Sequence, residues 1–227
     1  RAGDMSFNGV GIPAMFMGVS QVPFSEDDTD YVSMAFGKLL GSKMPWWWHT
    51  SDDTIDKIDV NVLALDTRIY VSTLWRLCHE PLLPMDFRPV VSDIQNTVQQ
   101  LQKIVGDHLD LSLTLARAER LAVLVEELAR RRVEAQEREQ DEKTTRELNQ
   151  QMKALSRLLI PITYTAAGRF DHDPAWGFPH LPTLSDAQQL ARLDPTSDDY
   201  HFSRTQLARN RNKVNFVLRE AISVLAD

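Results

Sequence analysis

The residue best placed for chemistry is His49, in the run Trp46-Trp47-Trp48-His49-Thr50-Ser51-Asp52-Asp53-Thr54. Neutral imidazole binds zinc well, and a nearby carboxylate can orient its second ring nitrogen. Here the histidine follows an aromatic wall and directly precedes a Thr/Asp-rich turn. That turn leads into a helix, with Asp53 or Thr54 able to cap it. Asp56 lies in the first turn, where the helix dipole favours negative charge. One imidazole is a single ligand, and a lone histidine is more often a hydrogen-bonded surface or core residue. The tryptophans divide in the same way. Each ring buries a large area, so at least two of the three are expected in packing, with Trp48 the one beside the site.

Other polar clusters suggest less. Asp171-His172-Asp173, with Asp194, Asp198, Asp199 and His201 further on, lack both an EF-hand loop and the paired-histidine spacing of helical zinc sites. They read as a solvated loop with capping aspartates. Gly37–Lys43 fails the spacing of a phosphate loop. Arg130-Arg131-Arg132, set among glutamates, reads as a solvated helix face, and no nucleophile elbow is visible. The single cysteine, Cys78, excludes an intrachain disulfide and any CxxC zinc site. A net charge of -7 argues against a nucleic-acid partner. No apolar run reaches the roughly 18 residues of a membrane segment.

The elements that must hold these residues follow from periodicity. Gly11–Val19 is a short apolar run entered through Gly and Pro, the pattern of a buried strand. Residues 20–31 read as an acidic loop and 31–41 as a short helix. From Asp56 onward, Val62, Leu65, Ile69, Thr73 and Leu77 repeat at helical spacing, giving a helix of about 20 residues that Pro81 and Pro84 stop. Pro81–Pro89 reads as a linker. Ser92-Asp93 can cap a helix running toward Gly106. Leu121, Leu124, Val125 and Leu128 form one apolar stripe, and Leu148, Met152, Leu155, Leu159 and Ile162 form another. The polar stretch 130–147 between them is a solvated extension or a turn. Residues 165–203 read as a long ordered loop. A last helix is expected over about 204–226, with Leu207, Val214, Val217, Leu218, Ala221 and Leu225 inward. The sum is a mainly α chain ending in an antiparallel helical bundle.

The segment His49-Thr50-x-x-Asp53-Thr54-x-Asp56-Lys57-Ile58-Asp59 resembles the one carrying the last metal ligand in M28-family peptidases, the dinuclear-zinc aminopeptidases and glutamate-carboxypeptidase-like enzymes. Upstream, Gly3-Asp4-Met5-Ser6-Phe7 and Gly11-Ile12-Pro13-Ala14 are similar to that family's Ser-Asp-x-x-x-Phe and Gly-Ile-Pro-Ala blocks, in the same order, with two residues between Asp4 and Phe7 where the family motif has three. Gly3 stands where the family often has Ser, Met5 where it often has His, and Trp48 where some members have Tyr. The helical remainder, with Leu155-Ser156-Arg157-Leu158-Leu159-Ile160-Pro161, resembles the dimerisation domain of transferrin-receptor-like members.

The resemblance implies a division into residues 1–81, the C-terminal portion of an α/β metallopeptidase domain, and 82–227, a helical dimerisation-like bundle. It implies two zinc ions in the intact protein, with His49 as a ligand. By the family's order, the other ligands and the general-base glutamate lie upstream of Arg1, so no catalytic residue falls within this chain. Trp48, Asp4 and Phe7 would lie on the substrate side, Asp4 in a substrate or structural hydrogen bond. Thr50 and Asp53 would support the ligand. The partners implied are a peptide substrate and a second copy bound through the bundle. The opening Arg1-Ala2-Gly3-Asp4 reads as a start inside a longer protein, so the chain alone is expected to be inactive. The alternative is a receptor-like or assembly protein of the same fold that lacks the metals and dimerises through its bundle.

Overall fold

The structure is a computed structural model that describes residues 3–13, 22–23, 42–43, 45, 47–137, 141–166, 168–169 and 179–226. They are mainly α-helical. The chain forms two compact units, one of Arg1–Met15 with Pro81–Asp227 and one of Phe16–Glu80.

In the smaller unit, β1 (Val22–Pro23) and β2 (Ser42–Lys43) pair antiparallel. Helix α1 (Val60–His79) has the expected length and ends before the prolines. Its cap differs from expectation. Residues Ile55–Lys57 form a separate 3-10 turn that closes on extended Ile58. The helix therefore starts later, and the Asp59 carboxylate caps it by accepting from the backbone N–H of Asn61 at 2.8 Å and of Val62 at 3.2 Å. The expected helix over 31–41 lies outside the described residues.

The larger unit is a helical bundle. Helix α2 (Arg88–Val105) begins four residues before the expected cap, so Ser92 and Asp93 lie inside it. Pro89 falls in its first turn, where a missing N–H costs no hydrogen bond. The helix stops at Gly106, and Val91, Ile94, Val98, Leu101 and Val105 make its buried stripe. Helices α3 (Ser112–Glu137) and α4 (Glu142–Tyr164) follow, so the polar stretch holds the end of one helix and the start of the next. Asp141 caps α4 by accepting from the Thr144 N–H at 2.8 Å. Short α5 (Ala187–Leu190) and long α6 (Asp198–Ala226) complete the unit. Helix α6 starts about six residues before the expected point. The polar Asp198-Asp199 pair, which looked like loop, is its acidic first turn, and Ser197 Oγ accepts from Tyr200 N–H at 3.2 Å.

Helix α3 packs on α2 and α6, and α6 also packs on α4. The short connections make α2 and α3, and α3 and α4, antiparallel. Helices α3 and α6 run the same way: Arg211 donates to the Asp110 carbonyl at 3.0 Å, and further along Arg117 donates to that of Asn215 at 2.8 Å. Leu121, Val125, Leu128, Leu148, Met152, Leu155, Leu159, Leu207, Val214, Leu218 and Ala221 fill the core. Leu181, Leu184, Ala187 and Leu190 reach it from the α4–α6 connection.

Asp86 closes the start of α2. Its carboxylate accepts from the Arg88 backbone N–H at 3.0 Å and from its guanidinium at 2.7 Å. That side-chain bond holds the Asp86 carboxyl below its usual range. A lowered folded-state value stabilises the fold above the unfolded carboxyl's pKa of about 4 and is lost as pH falls through the folded value. The melting-temperature gap between wild type and Asp86→Asn is therefore expected to be widest near neutrality and to shrink in acid. A gap that stays constant into strong acid would contradict this assignment.

The expected strand over Gly11–Val19 is not what its first residues form. Gly3–Val10 is a 3-10 helix, Gly11 is in a turn, Ile12 and Pro13 are exposed, and 14–19 lie outside the described residues. The 3-10 helix packs on α4, in the bundle unit. Gly11 adopts φ +84°, and Ser156 Oγ donates to its carbonyl at 2.7 Å. A Cβ at Gly11 would lie 2.4 Å from Arg157 Cα, so only glycine permits this approach.

Candidate metal-ligand turn

The chain around His49 is folded on itself by short-range bonds. Trp48 N–H donates to the Pro45 carbonyl at 2.9 Å and Thr50 N–H to that of Trp47 at 3.0 Å. The Thr50 hydroxyl donates to the same Trp47 carbonyl at 2.7 Å and accepts from Asp52 N–H at 3.2 Å. Asp53 N–H returns to the Thr50 carbonyl at 3.2 Å, and the Asp53 carboxylate accepts from His49 N–H at 3.4 Å. Thr50 and Asp53 thus bond the backbone that carries the histidine.

His49 sits at the centre of this turn with φ +62°. The left-handed region costs a non-glycine residue on the order of 1 kcal/mol, and such strain concentrates at functional positions. The His49 residue is exposed, and its ring stacks on half-buried Trp48 with centroids 3.7 Å apart and planes 18° from parallel. Stacking and backbone closure together restrict where the ring nitrogens point. Among the described residues no carboxylate bonds a ring nitrogen of His49. Asp53 orients its backbone instead. Trp47 is half-buried, and Trp46 lies outside the described residues.

Asp4 and Phe7 lie on the 3-10 helix of the larger unit, and Phe7 is exposed. Trp48, His49, Thr50 and Asp53 are brought together in the smaller unit by their shared turn.

A zinc ion needs three or four donors. Among the described residues, no three His, Cys, Asp or Glu side chains gather to hold a metal. The donor set at the turn is one imidazole, so the described residues do not by themselves fit a zinc ion. Of the other polar clusters, Asp171-His172-Asp173 lies outside the described residues. Asp194 accepts from Thr196 N–H and Oγ1 at 2.9 and 2.8 Å, a capping turn. Arg130 pairs with Glu127 at 2.5 Å and with Glu134 on the surface of α3. No described helix is long and apolar enough to cross a membrane.

Sequence reasoning did not single out Asn149 or Ser156. Both sit in a helical stripe pattern where polar residues look like filler, and their partners lie 68 and 145 residues away in the chain. No local signal marks them. Comparison with known proteins finds no matching family model, no matching curated protein and no matching solved structure.

Proposed function

We propose that this chain is the C-terminal part of a zinc-dependent exopeptidase, in which His49 supplies one metal ligand and the reaction is hydrolysis of a peptide bond near a chain end. The observation that carries the reading is the exposed imidazole held at φ +62° in a bonded turn and stacked on Trp48. The resemblance of 49–59 to the last-ligand segment of M28 peptidases gives the turn its chemistry.

Helix α1 supports the larger-domain part of the reading. None of its residues is buried, and Leu63, Leu65, Val71, Leu74 and Trp75 are exposed, Trp75 at 61%. A helix apolar on most sides is one that a folded domain covers. One imidazole cannot hold zinc tightly, so the remaining ligands of this proposal come from outside the described residues.

In the polypeptide that carries those ligands, His49→Ala is expected to lower exopeptidase activity by more than about 100-fold, beyond the loss usual for residues that merely support a ligand. Its zinc content should fall as well. Elemental analysis and amino-acid release measure the two. Full zinc content with unchanged activity would overturn the assignment. The 227-residue chain alone is expected to release no amino acid from peptides in the presence of zinc, and measurable release would contradict the proposal.

A further inference from the structure

Helix α6 carries a run of cations that its surroundings only partly neutralise. Between Tyr200 and Arg219 stand Arg204, Arg209, Arg211, Lys213 and Arg219, with no carboxylate among them. Three of the five are engaged. Arg204 and Arg211 donate to the carbonyls of His108 and Asp110 at 3.1 and 3.0 Å, and Arg219 pairs with Glu220 at 2.9 Å. Arg209 and Lys213 are exposed and have no ion-pair or hydrogen-bond partner among the described residues.

Positions 209, 213 and 216 follow helical spacing, so their side chains share one side of α6. With Asn212 and Val217 they line an open hollow of about 500 Å³. Phe216 is 54% exposed, and the Arg219 guanidinium lies 5.0 Å from its ring centre. Phe202, 75% exposed, is on the same side four turns away, about 21 Å along the axis. All of these residues belong to the bundle unit.

Unpaired cations beside an exposed aromatic ring complement a partner that is acidic and partly apolar. A second copy fits poorly. Antiparallel pairing of this side with itself, Phe202 on Phe216, sets Arg209 against its own counterpart. A nucleic acid would run beyond the five cations onto a chain whose net charge is -7. A membrane surface needs a broad apolar face. The exposed large apolar residues of α6 are Phe202 and Phe216, separated by Gln206, Arg209 and Asn212.

We infer that this side of α6 binds a short acidic peptide segment of another protein, with carboxylates on Arg209 and Lys213 and an apolar side chain against Phe216. A peptide is held there whether or not His49 is a zinc ligand.

Fluorescence anisotropy with the 227-residue chain tests this. The probes are short labelled peptides in which Asp or Glu residues flank one Leu, Phe or Trp, each with a control carrying Asn and Gln in place of the acids. At least one acidic peptide is expected to bind saturably while its control does not. Raising salt from about 50 to about 500 mM should weaken binding, because exposed charges are screened. Arg209→Glu with Lys213→Glu should lower affinity more than about tenfold, since like charges then face each other. Arg209→Lys with Lys213→Arg should keep it, and Phe216→Ser should weaken it at constant charge. All three positions are exposed, so circular dichroism should show unchanged helix in every variant. Saturable binding by none of the acidic peptides would overturn the inference, as would full affinity in the charge-reversed variant. Tighter binding of a single-stranded oligonucleotide or of phosphatidylserine vesicles, lost on charge reversal, would overturn it in favour of that occupant. A dimer in sedimentation that Phe216→Ser dissolves would overturn it in favour of a second copy.

Discussion

Gly11→Ala is expected to unseat residues 3–13 from α4 while leaving the bundle folded. Two independent costs act. An L-residue at φ +84° pays about 1–2 kcal/mol for the left-handed conformation. The added methyl would also stand 2.4 Å from Arg157 Cα and 2.9 Å from the Ser156 carbonyl oxygen, both backbone atoms that cannot rotate aside. Relief requires separating the strands of chain, and that breaks the Ser156–Gly11 bond as well. Hydrogen exchange reads the outcome. The N–H groups of Gly11 and Ile12, bonded to the Asn8 and Phe7 carbonyls, should lose protection, while core amides of α3 and α6 keep theirs. Ser156→Ala removes only the hydrogen bond and leaves the buried Gly11 carbonyl without that donor, a loss of about 1–3 kcal/mol. Its effect on the same amides should be smaller. The opposite order would mean that close backbone approach is not what seats the segment.

The second large effect is in the core. Leu155 is fully buried, on one stripe with Leu148, Met152 and Leu159. Leu155→Ala removes buried carbon and leaves a cavity, at about 2–5 kcal/mol. In a domain of this size each kcal/mol lowers the melting temperature by about 2–4 °C. Phe202→Ala is the control. Phe202 is larger but 75% exposed on α6, and its loss should stay within about 0.5 kcal/mol. Thermal melts of the two variants should differ plainly, and similar melts would show that the stripe through Leu155 is not the core.

What could be read without coordinates depended on how far apart in sequence the cause and its effect lie. The stripes at Leu121–Leu128, Leu148–Leu159 and Leu207–Ala221 face the core because helical period is a local property. Helix starts were harder. Pro89 looked like linker yet belongs to the first turn of α2, and Asp198-Asp199 looked like loop yet open α6. The first turn tolerates residues the interior rejects. Asp53 and Thr54 looked like caps, but a 3-10 turn intervenes and Asp59 caps α1. The bonds of Thr50 and Asp53 around His49 are local and so were approachable, whereas the φ of His49 was not. Gly11 illustrates the limit. Its Gly-Ile-Pro context suggested a strand entry, but its conformation is set by α4, 145 residues away.

That separation has a consequence for the order of folding. The α2–α3 and α3–α4 hairpins close over short connections and can form quickly. Pairings between distant parts of the chain must first meet the entropy of closing a long loop, which slows them. During synthesis residues 3–13 emerge long before Ser156 exists. They must wait through the making of the whole unit bearing His49, and the bundle can seat them only once α4 is in place. The first described segment of the chain is thus among the last to reach its native position.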